Sequence, residues 1–448
     1  MPCCLPRGKA GGLQILCCQG IAVNDYSFTL DASALKPSDF CNIKVKEALM
    51  TKFDSRERRI LINTCFGHFM SHFNMLVFPA IVLPLAARVN LDMATVLGFS
   101  FWMYLLFGFT ALPWGLAADR WGAGALMVLF YAGAALAGLA AAVWIDSPGG
   151  LTLALAVLGL FSGIYHPAGL GLISKEMTRI SLGMGYNGMF GNLGLASAPL
   201  IAGLVNWLWG VRAVYLVVGG LNICGVVLIF AFSLPLSRRE TTAGAEEKNG
   251  LLGAFLILLV AMMLGGIAYR GATVILPAYF ELKNRIIFQW LTAVSGGAFS
   301  ENLVATSVAA FIYLVGMLGQ YTGGRVADQY RPAICYIIFA GVTIPAAIGM
   351  GMTSDLPLVA LAVIYFFFLL GIQPIENTLV ARYTPKRLQH SAFGTKFVLT
   401  FGVGALAVKM VTAIEAAAGV ETVFTALGAI ALLLVVVIGV LIRKTSIS

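Results

Sequence analysis

Charge is what this chain has least of. Only 11% of its 448 residues are Asp, Glu, Lys or Arg, while 59% are hydrophobic and the mean hydropathy is +0.90. A soluble protein has about a quarter of its residues charged. A chain this poor in charge cannot clothe a soluble core, so its apolar surface must face lipid. Eight cysteines are present but no Cys-x-x-Cys pair, which leaves zinc and dithiol chemistry without support. Five of them (Cys3, Cys4, Cys17, Cys18, Cys41) lie in the N-terminal tail and read as reduced cytosolic thiols rather than lipid attachment points. Residues 1–58 also lack a signal-peptide core and any apolar periodic face, so a poorly ordered cytoplasmic tail is expected there.

What is present is a series of apolar runs, each long enough for the roughly 20 residues a span requires. Twelve are predicted, at 60–86, 94–117, 124–145, 150–174, 180–206, 211–236, 251–280, 300–322, 332–353, 356–381, 391–414 and 420–442. Alternating their sides gathers Arg120, Lys175, Arg179, Arg238, Arg239, Lys248, Arg325, Arg331, Arg382, Lys386, Arg387, Arg443 and Lys444 on one face. Only Arg88, Arg212, Lys283 and Arg285 fall on the other. That asymmetry predicts a multi-pass protein of the cell (inner) membrane with both termini cytoplasmic. It also accounts for the formal charge of +9 without a nucleic-acid partner. The polar stretch 237–250 is a linker that divides the chain into six-helix bundles at 59–236 and 251–448.

The bundles repeat one another. Gly115-Leu-Ala-Ala-Asp119-Arg120-Trp-Gly122 returns as Gly324-Arg325-Val-Ala-Asp328-Gln-Tyr-Arg331. Gly163-Ile-Tyr-His166-Pro167 is echoed by Gly371-Ile-Gln-Pro374, and Gly185-Tyr-Asn187 by Gly394-Thr-Lys396, all at an offset of 207–209. His72 precedes Pro79 by seven residues, as Arg270 precedes Pro277. A parallel duplication of this kind predicts an all-α fold of two bundles related by a pseudo-twofold axis along the membrane normal.

On these residues the chain resembles the major facilitator superfamily over roughly 60–442. Gly115-x-x-x-Asp119-Arg120-x-Gly122 is similar to that family's signature between spans 2 and 3, although Ala123 and Gly124 stand where a basic pair is usual. His166-Pro167 resembles a His-Pro of the fosmidomycin-resistance-like drug exporters. Gly191-x-x-Gly194-x-x-x-Ala198-Pro199-x-x-x-Gly203 is similar to the antiporter motif of span 5, with Ala198 in place of a glycine. The acidic residue that many drug–proton antiporters carry in span 1 is missing; histidines occupy that span instead. The resemblance implies alternating access, with spans 1, 4, 7 and 10 lining a central cavity, spans 2, 5, 8 and 11 flanking it, and Gly115, Asp119, Arg120, Gly122, Gly324 and Asp328 acting as gating turns.

An ionisable group at the bilayer centre costs at least ~2.5–3.5 kcal/mol on insertion scales, so those found there need a polar cavity or a partner. The predicted spans hold His68, His72, His166, Arg270, Glu376, Lys396 and Lys409, and under the family arrangement none falls on a lipid-facing span. Arg270 and His72, which lies ~18 Å deep, are expected to contact substrate. The competing readings are an arginine bonded to helix carbonyls and a packing histidine. His68, His166 and Asn187 share a level ~12 Å from the cytoplasmic surface, where they can bind substrate or pass a proton. His166 can equally bond backbone freed by Pro167. His68 and His72, at i and i+4, would suit a metal, but no carboxylate or thiolate other than Cys65 joins them in that half, so no metal site is expected. Glu376 and Lys396 fall at similar depth on adjacent spans, as a structural ion pair or as a proton carrier and substrate contact. Lys409 snorkels to the surface.

The basic excess inside the membrane favours an anionic cargo. The expected activity is proton-coupled transport of a small organic anion, export preferred, by a monomer that needs no cofactor. Uptake of a carboxylate metabolite and translocation of a lipid are the alternatives. No nucleophile–base pair or complete metal set points to an enzyme.

Overall fold

A computed structural model describes residues 53–178, 180–232, 252–384 and 389–447. The tail before residue 53 and the linker 237–250 lie outside the described residues, as do Arg179, Arg238, Arg239, Lys248, Lys386 and Arg387. Among the described residues ten continuous helices are long and apolar enough to cross a membrane, and with each of two bent pairs counted as one span there are twelve. The bent pairs are span 1 (Ser55–Ala80 with Val82–Val89) and span 2 (Met93–Phe109 with Ala111–Trp121). Spans 3 to 6 are Ala123–Val143, Pro148–Glu176, Leu182–Trp209 and Val211–Ala231. Spans 7 to 9 are Leu252–Lys283, Glu301–Gln329 and Pro332–Met352; spans 10 to 12 are Asp355–Tyr383, Gly394–Ala418 and Val420–Thr445. Both six-span halves pack into one unit, Asp54–Ser448.

The helices are less regular than their composition suggests, and prolines explain part of this. Pro79 has no N–H to give the Met75 carbonyl; the Tyr104 hydroxyl bonds that carbonyl instead, at 2.8 Å. Span 1 then bends by 51° at Ile81. Span 4 breaks at Gly163 and Ile164, just before His166-Pro167. Span 11 passes through a π-turn, Val398–Gly402, and a 3₁₀ turn, Val403–Ala405, two irregularities that concentrate where helices carry function.

The duplication is visible in the packing. Gly115 faces the Pro167 side chain, and Gly324 faces that of Pro374. Pairs of spans approach most closely where glycine meets backbone, as at Gly319 against Phe367 and Gly108 against Gly402. The connection after span 7 is itself a helix, Arg285–Ser295, with Ile286, Trp290 and Val294 exposed four residues apart along one side. Its first amides are capped by the Asp355 carboxylate, which accepts from the N–H groups of Ile286 at 2.7 Å and Ile287 at 3.1 Å. At the same end of the molecule Asp146 accepts from Arg88 at 2.6 Å and Arg212 at 2.9 Å, clasping three loops of the N-terminal half. Those bonds hold the Asp146 carboxyl below the usual carboxylate range, Arg88 contributing most.

Candidate functional site

Three imidazoles meet inside the N-terminal half. His68 and His72 lie one turn apart on span 1, and His166 comes from the broken segment of span 4. Their ring centres are 4.9 Å (His68–His72), 5.3 Å (His68–His166) and 5.5 Å (His72–His166) apart. The Asn187 carbonyl accepts from His68 Nδ1 at 2.9 Å, which puts the proton on Nδ1 and the lone pair on Nε2. His72 Nε2 stands 3.1 Å from that lone pair. Asn187 in turn donates to the Tyr165 hydroxyl, which donates to the Thr64 carbonyl, tying span 5 to spans 4 and 1. Gly191 makes room for this arrangement: a Cβ there would lie 2.6 Å from the His68 ring. The His166 ring stacks on Phe397 and Phe401 of span 11, across the seam between halves. Both of its nitrogens are buried without a hydrogen-bond partner, so the alternative in which His166 bonds freed backbone is not what the structure shows.

Arg270 occupies the corresponding region of the C-terminal half. It is 3% exposed. The guanidinium carbon lies 3.7 Å from the centre of the Tyr104 ring, a cation–π contact that bridges spans 7 and 2. Tyr269 is the second ring, at 5.7 Å. Neither Nε nor Nη1 has a hydrogen-bond partner, and the buried Tyr313 hydroxyl is likewise unpaired. The tyrosines carry no charge and do not stand out among the ionisable residues of the spans. The signal was available: Tyr104 and Tyr313 are separated by the same offset as Gly115 and Gly324.

Glu376 and Lys396 form an ion pair of 2.9 Å with both side chains almost fully buried. The Tyr336 hydroxyl donates to Glu376 at 2.7 Å, and Lys396 donates to Asn377 at 2.8 Å. These groups sit inside the C-terminal bundle, with Gly265 of span 7 against the Glu376 carboxylate. Lys396 is therefore engaged by its own half, while its neighbour Phe397 touches His166. Lys409 is exposed, with its ammonium 4.9 Å from the centre of the Phe101 ring.

The motif turn keeps its ionic contact inside one half. Gly122 has φ +89°, a left-handed conformation that favours glycine, and it ends span 2. Asp119 does not cap the following helix, whose N-cap is Gly122 with no side-chain bond. It pairs instead with Lys175, at the end of span 4, at 2.5 Å. Both partners belong to the N-terminal half, so this bond does not itself bridge the halves. The second copy continues as helix through Gly324 and Asp328 to Gln329. Arg120 and Asp328 are exposed.

Bonds that do cross the seam come from uncharged polar residues. At the end of the molecule that carries Asp146, Asn302 of span 8 donates to the Ala80 carbonyl at 2.9 Å and accepts from Asn206 of span 5 at 3.1 Å, both across the seam, while inside its own half it donates to Glu281 at 2.8 Å. Nearer the middle, Asn192 donates across the seam to Gln320 at 2.7 Å, and Gln320 donates to Gln373 of its own half at 3.1 Å. A search for charges passes over such residues, because amides inside a span carry no formal charge.

Three comparisons bear on this architecture. The family model described as Major Facilitator Superfamily matches residues 64–408. The chain is 24% identical over 300 residues to the multi-drug resistance efflux pump PmrA of Streptococcus pneumoniae, covering 61% of this chain and 67% of that protein. It is similar in structure to a bacterial homolog of the human lysosomal transporter Spinster in an inward-facing, occupied conformation. The TM-score there is 0.67 at 14% identity, over 88% of this chain and 98% of that one. It is also similar to the human organic anion transporter MFSD10, with TM-score 0.62 at 17% identity, over 85% and 99% of the two chains. At these identities the structural likeness carries the fold.

Proposed function

The chain belongs to the Major Facilitator Superfamily and is a membrane transporter rather than an enzyme; from that premise we propose that it carries a small organic anion, phosphonate-like or carboxylate, out of the cell in exchange for protons. The observation that supports the anion is Arg270, 3% exposed, with Nε and Nη1 unbonded and an aromatic ring as its neighbour. A cation–π contact is worth ~0.5–2 kcal/mol. A planar guanidinium has a forked donor set that fits a carboxylate or phosphonate with two parallel bonds, roughly twice as strong as neutral ones. An anion would therefore draw Arg270 off Tyr104. In this reading Tyr313, whose buried hydroxyl is unpaired, and the histidines of the N-terminal half supply further donors.

Glu376 serves as the proton carrier in this reading. Arg270, Lys396 and Glu376 together carry one net positive charge when the histidines are neutral, so one monoanion balances the interior. Protonating Glu376 releases Lys396 and loosens spans 10 and 11, while the facing Tyr336 and Asn377 keep hydrogen bonds to offer. Export is favoured because the relative with the stated activity is an efflux pump. The test is anion flux in proteoliposomes under an imposed pH gradient. Flux that accelerates with the gradient and slows when it is collapsed supports the exchange; flux indifferent to collapse refutes proton coupling.

A further inference from the structure

We propose that His68, His72 and His166 form a binding site for a divalent first-row transition-metal ion of the Zn²⁺ class. The sequence argued against a metal because the N-terminal half offers no carboxylate or thiolate other than Cys65 beside His68 and His72. What the fold adds is a third imidazole, brought from span 4 to the pair on span 1. One nitrogen from each ring lies within 4.8 Å of the others, and the Nε2 atoms of His68 and His72 are 3.1 Å apart. Imidazole nitrogens bind zinc at ~2.0–2.1 Å with tetrahedral angles, which sets neighbouring ligand atoms roughly 3.3 Å apart and ring centres roughly 5 Å apart. The observed centres, at 4.9, 5.3 and 5.5 Å, already have that spacing. Small ring rotations complete the approach of His166.

The surroundings fit a ligand set more closely than a hydrogen-bonded core. His68 donates Nδ1–H to the Asn187 carbonyl, the outer bond that fixes the tautomer of a metal-binding histidine and aims its Nε2 lone pair inward. The two His166 nitrogens are buried and unbonded, so the ring aims a lone pair at nothing the chain provides. Tyr165, Phe397 and Phe401 hold the rings in place by stacking rather than by competing for their nitrogens. Three neutral imidazoles with no thiolate suit Zn²⁺, Ni²⁺ and Co²⁺ and leave a fourth position open. The ion adds positive charge to a buried site, so it enters with an anion such as chloride or hydroxide in that position. This inference uses the lone pairs of the neutral histidines, and its test reads metal binding rather than anion flux, so the two proposals fail separately.

The chain has only one other histidine, His390, which simplifies the test. Full-length protein prepared without a polyhistidine tag, its thiols alkylated with N-ethylmaleimide, is titrated with Co²⁺ and with Zn²⁺ in competition. The proposal expects one equivalent bound, visible bands of tetrahedral Co²⁺, and displacement by Zn²⁺. Replacing His166→Asn, His72→Asn or His68→Asn should each weaken binding roughly 100-fold or more, beyond what outer-shell changes cause, while Lys409→Ala leaves it unchanged. Because protons compete for the lone pairs, affinity falls as pH is lowered. X-ray absorption of the zinc-loaded wild-type protein keeps the question open to refutation if a variant fails to fold. Three imidazole nitrogens at ~2.0–2.1 Å support the site; fewer than two imidazoles, no binding at millimolar ion, or binding indifferent to all three substitutions overturns it.

Discussion

Removing one partner of a buried ion pair is far more damaging than removing both, because the survivor is left as an uncompensated charge. Glu376 and Lys396 satisfy the conditions for that asymmetry, being almost fully buried and 2.9 Å apart. Glu376→Ala should destabilise the protein by about 3–5 kcal/mol, whereas Glu376→Leu with Lys396→Met should fall near wild type. Thermal melts of the three proteins check this, and equal losses in single and double variants would contradict it. The exposed Asp146 behaves in the opposite way. Its carboxyl is held below the ordinary range, so its bonds to Arg88 and Arg212 stabilise the fold above the unfolded carboxylate value of ~3.9 and lose their effect as pH falls through the lowered one. The melting difference between wild type and Asp146→Asn should persist at pH 7 and pH 5, shrink in high salt and vanish in strong acid. At this scale charge was the legible signal: counting residues between span ends paired Glu376 with Lys396. Tyr104, Asn302 and Gln320 escaped, since a neutral polar side chain in a span costs too little to mark itself.

Between helices, glycine decides how near two spans can come. A Cβ on Gly319 would overlap the Phe367 carbonyl oxygen of span 10, and one on Gly203 would overlap Thr306 of span 8, across the seam. Nothing lies within 4 Å of a Cβ placed on Gly341. Gly319→Ala should therefore cost about 1–3 kcal/mol by forcing spans 8 and 10 apart, while Gly341→Ala should be neutral or slightly stabilising through helix propensity. Melting curves in one detergent separate them, and equal behaviour would contradict the packing account. The glycines of the span 5 motif were visible in the sequence, but their purpose was not: Gly191 houses the His68 ring, and Gly203 admits span 8. Apolar run lengths marked the helices well. They could not show the bend at Ile81 or the break before Tyr165, because each depends on a neighbour that takes over freed backbone: Tyr104 bonds the Met75 carbonyl, and Trp114 bonds that of Leu160.

For the whole molecule the repeat is the governing fact. It was read from a polar turn and a few proline-linked residues, and the structure repeats it in the contacts of Gly115 with Pro167 and Gly324 with Pro374. What one chain of letters could not convey is which half each charge serves. Glu376 and Lys396 are kept within the C-terminal bundle; Asp119 and Lys175 belong to the N-terminal one; Arg270 is buried and stacks across the seam, on Tyr104. An anion that draws Arg270 from that ring would change how the halves hold together, which is what coupling cargo to alternating access requires. The direct measurement is the thermal shift and titration calorimetry of purified protein with a panel of carboxylates and phosphonates, each beside its neutral ester, for wild type and Arg270→Gln. The account predicts that at least one anion stabilises the wild type, that its ester does not, and that Arg270→Gln weakens the affinity tenfold or more, about 1.4 kcal/mol. Anion binding undiminished in Arg270→Gln, or esters that bind as well as their acids, would contradict it.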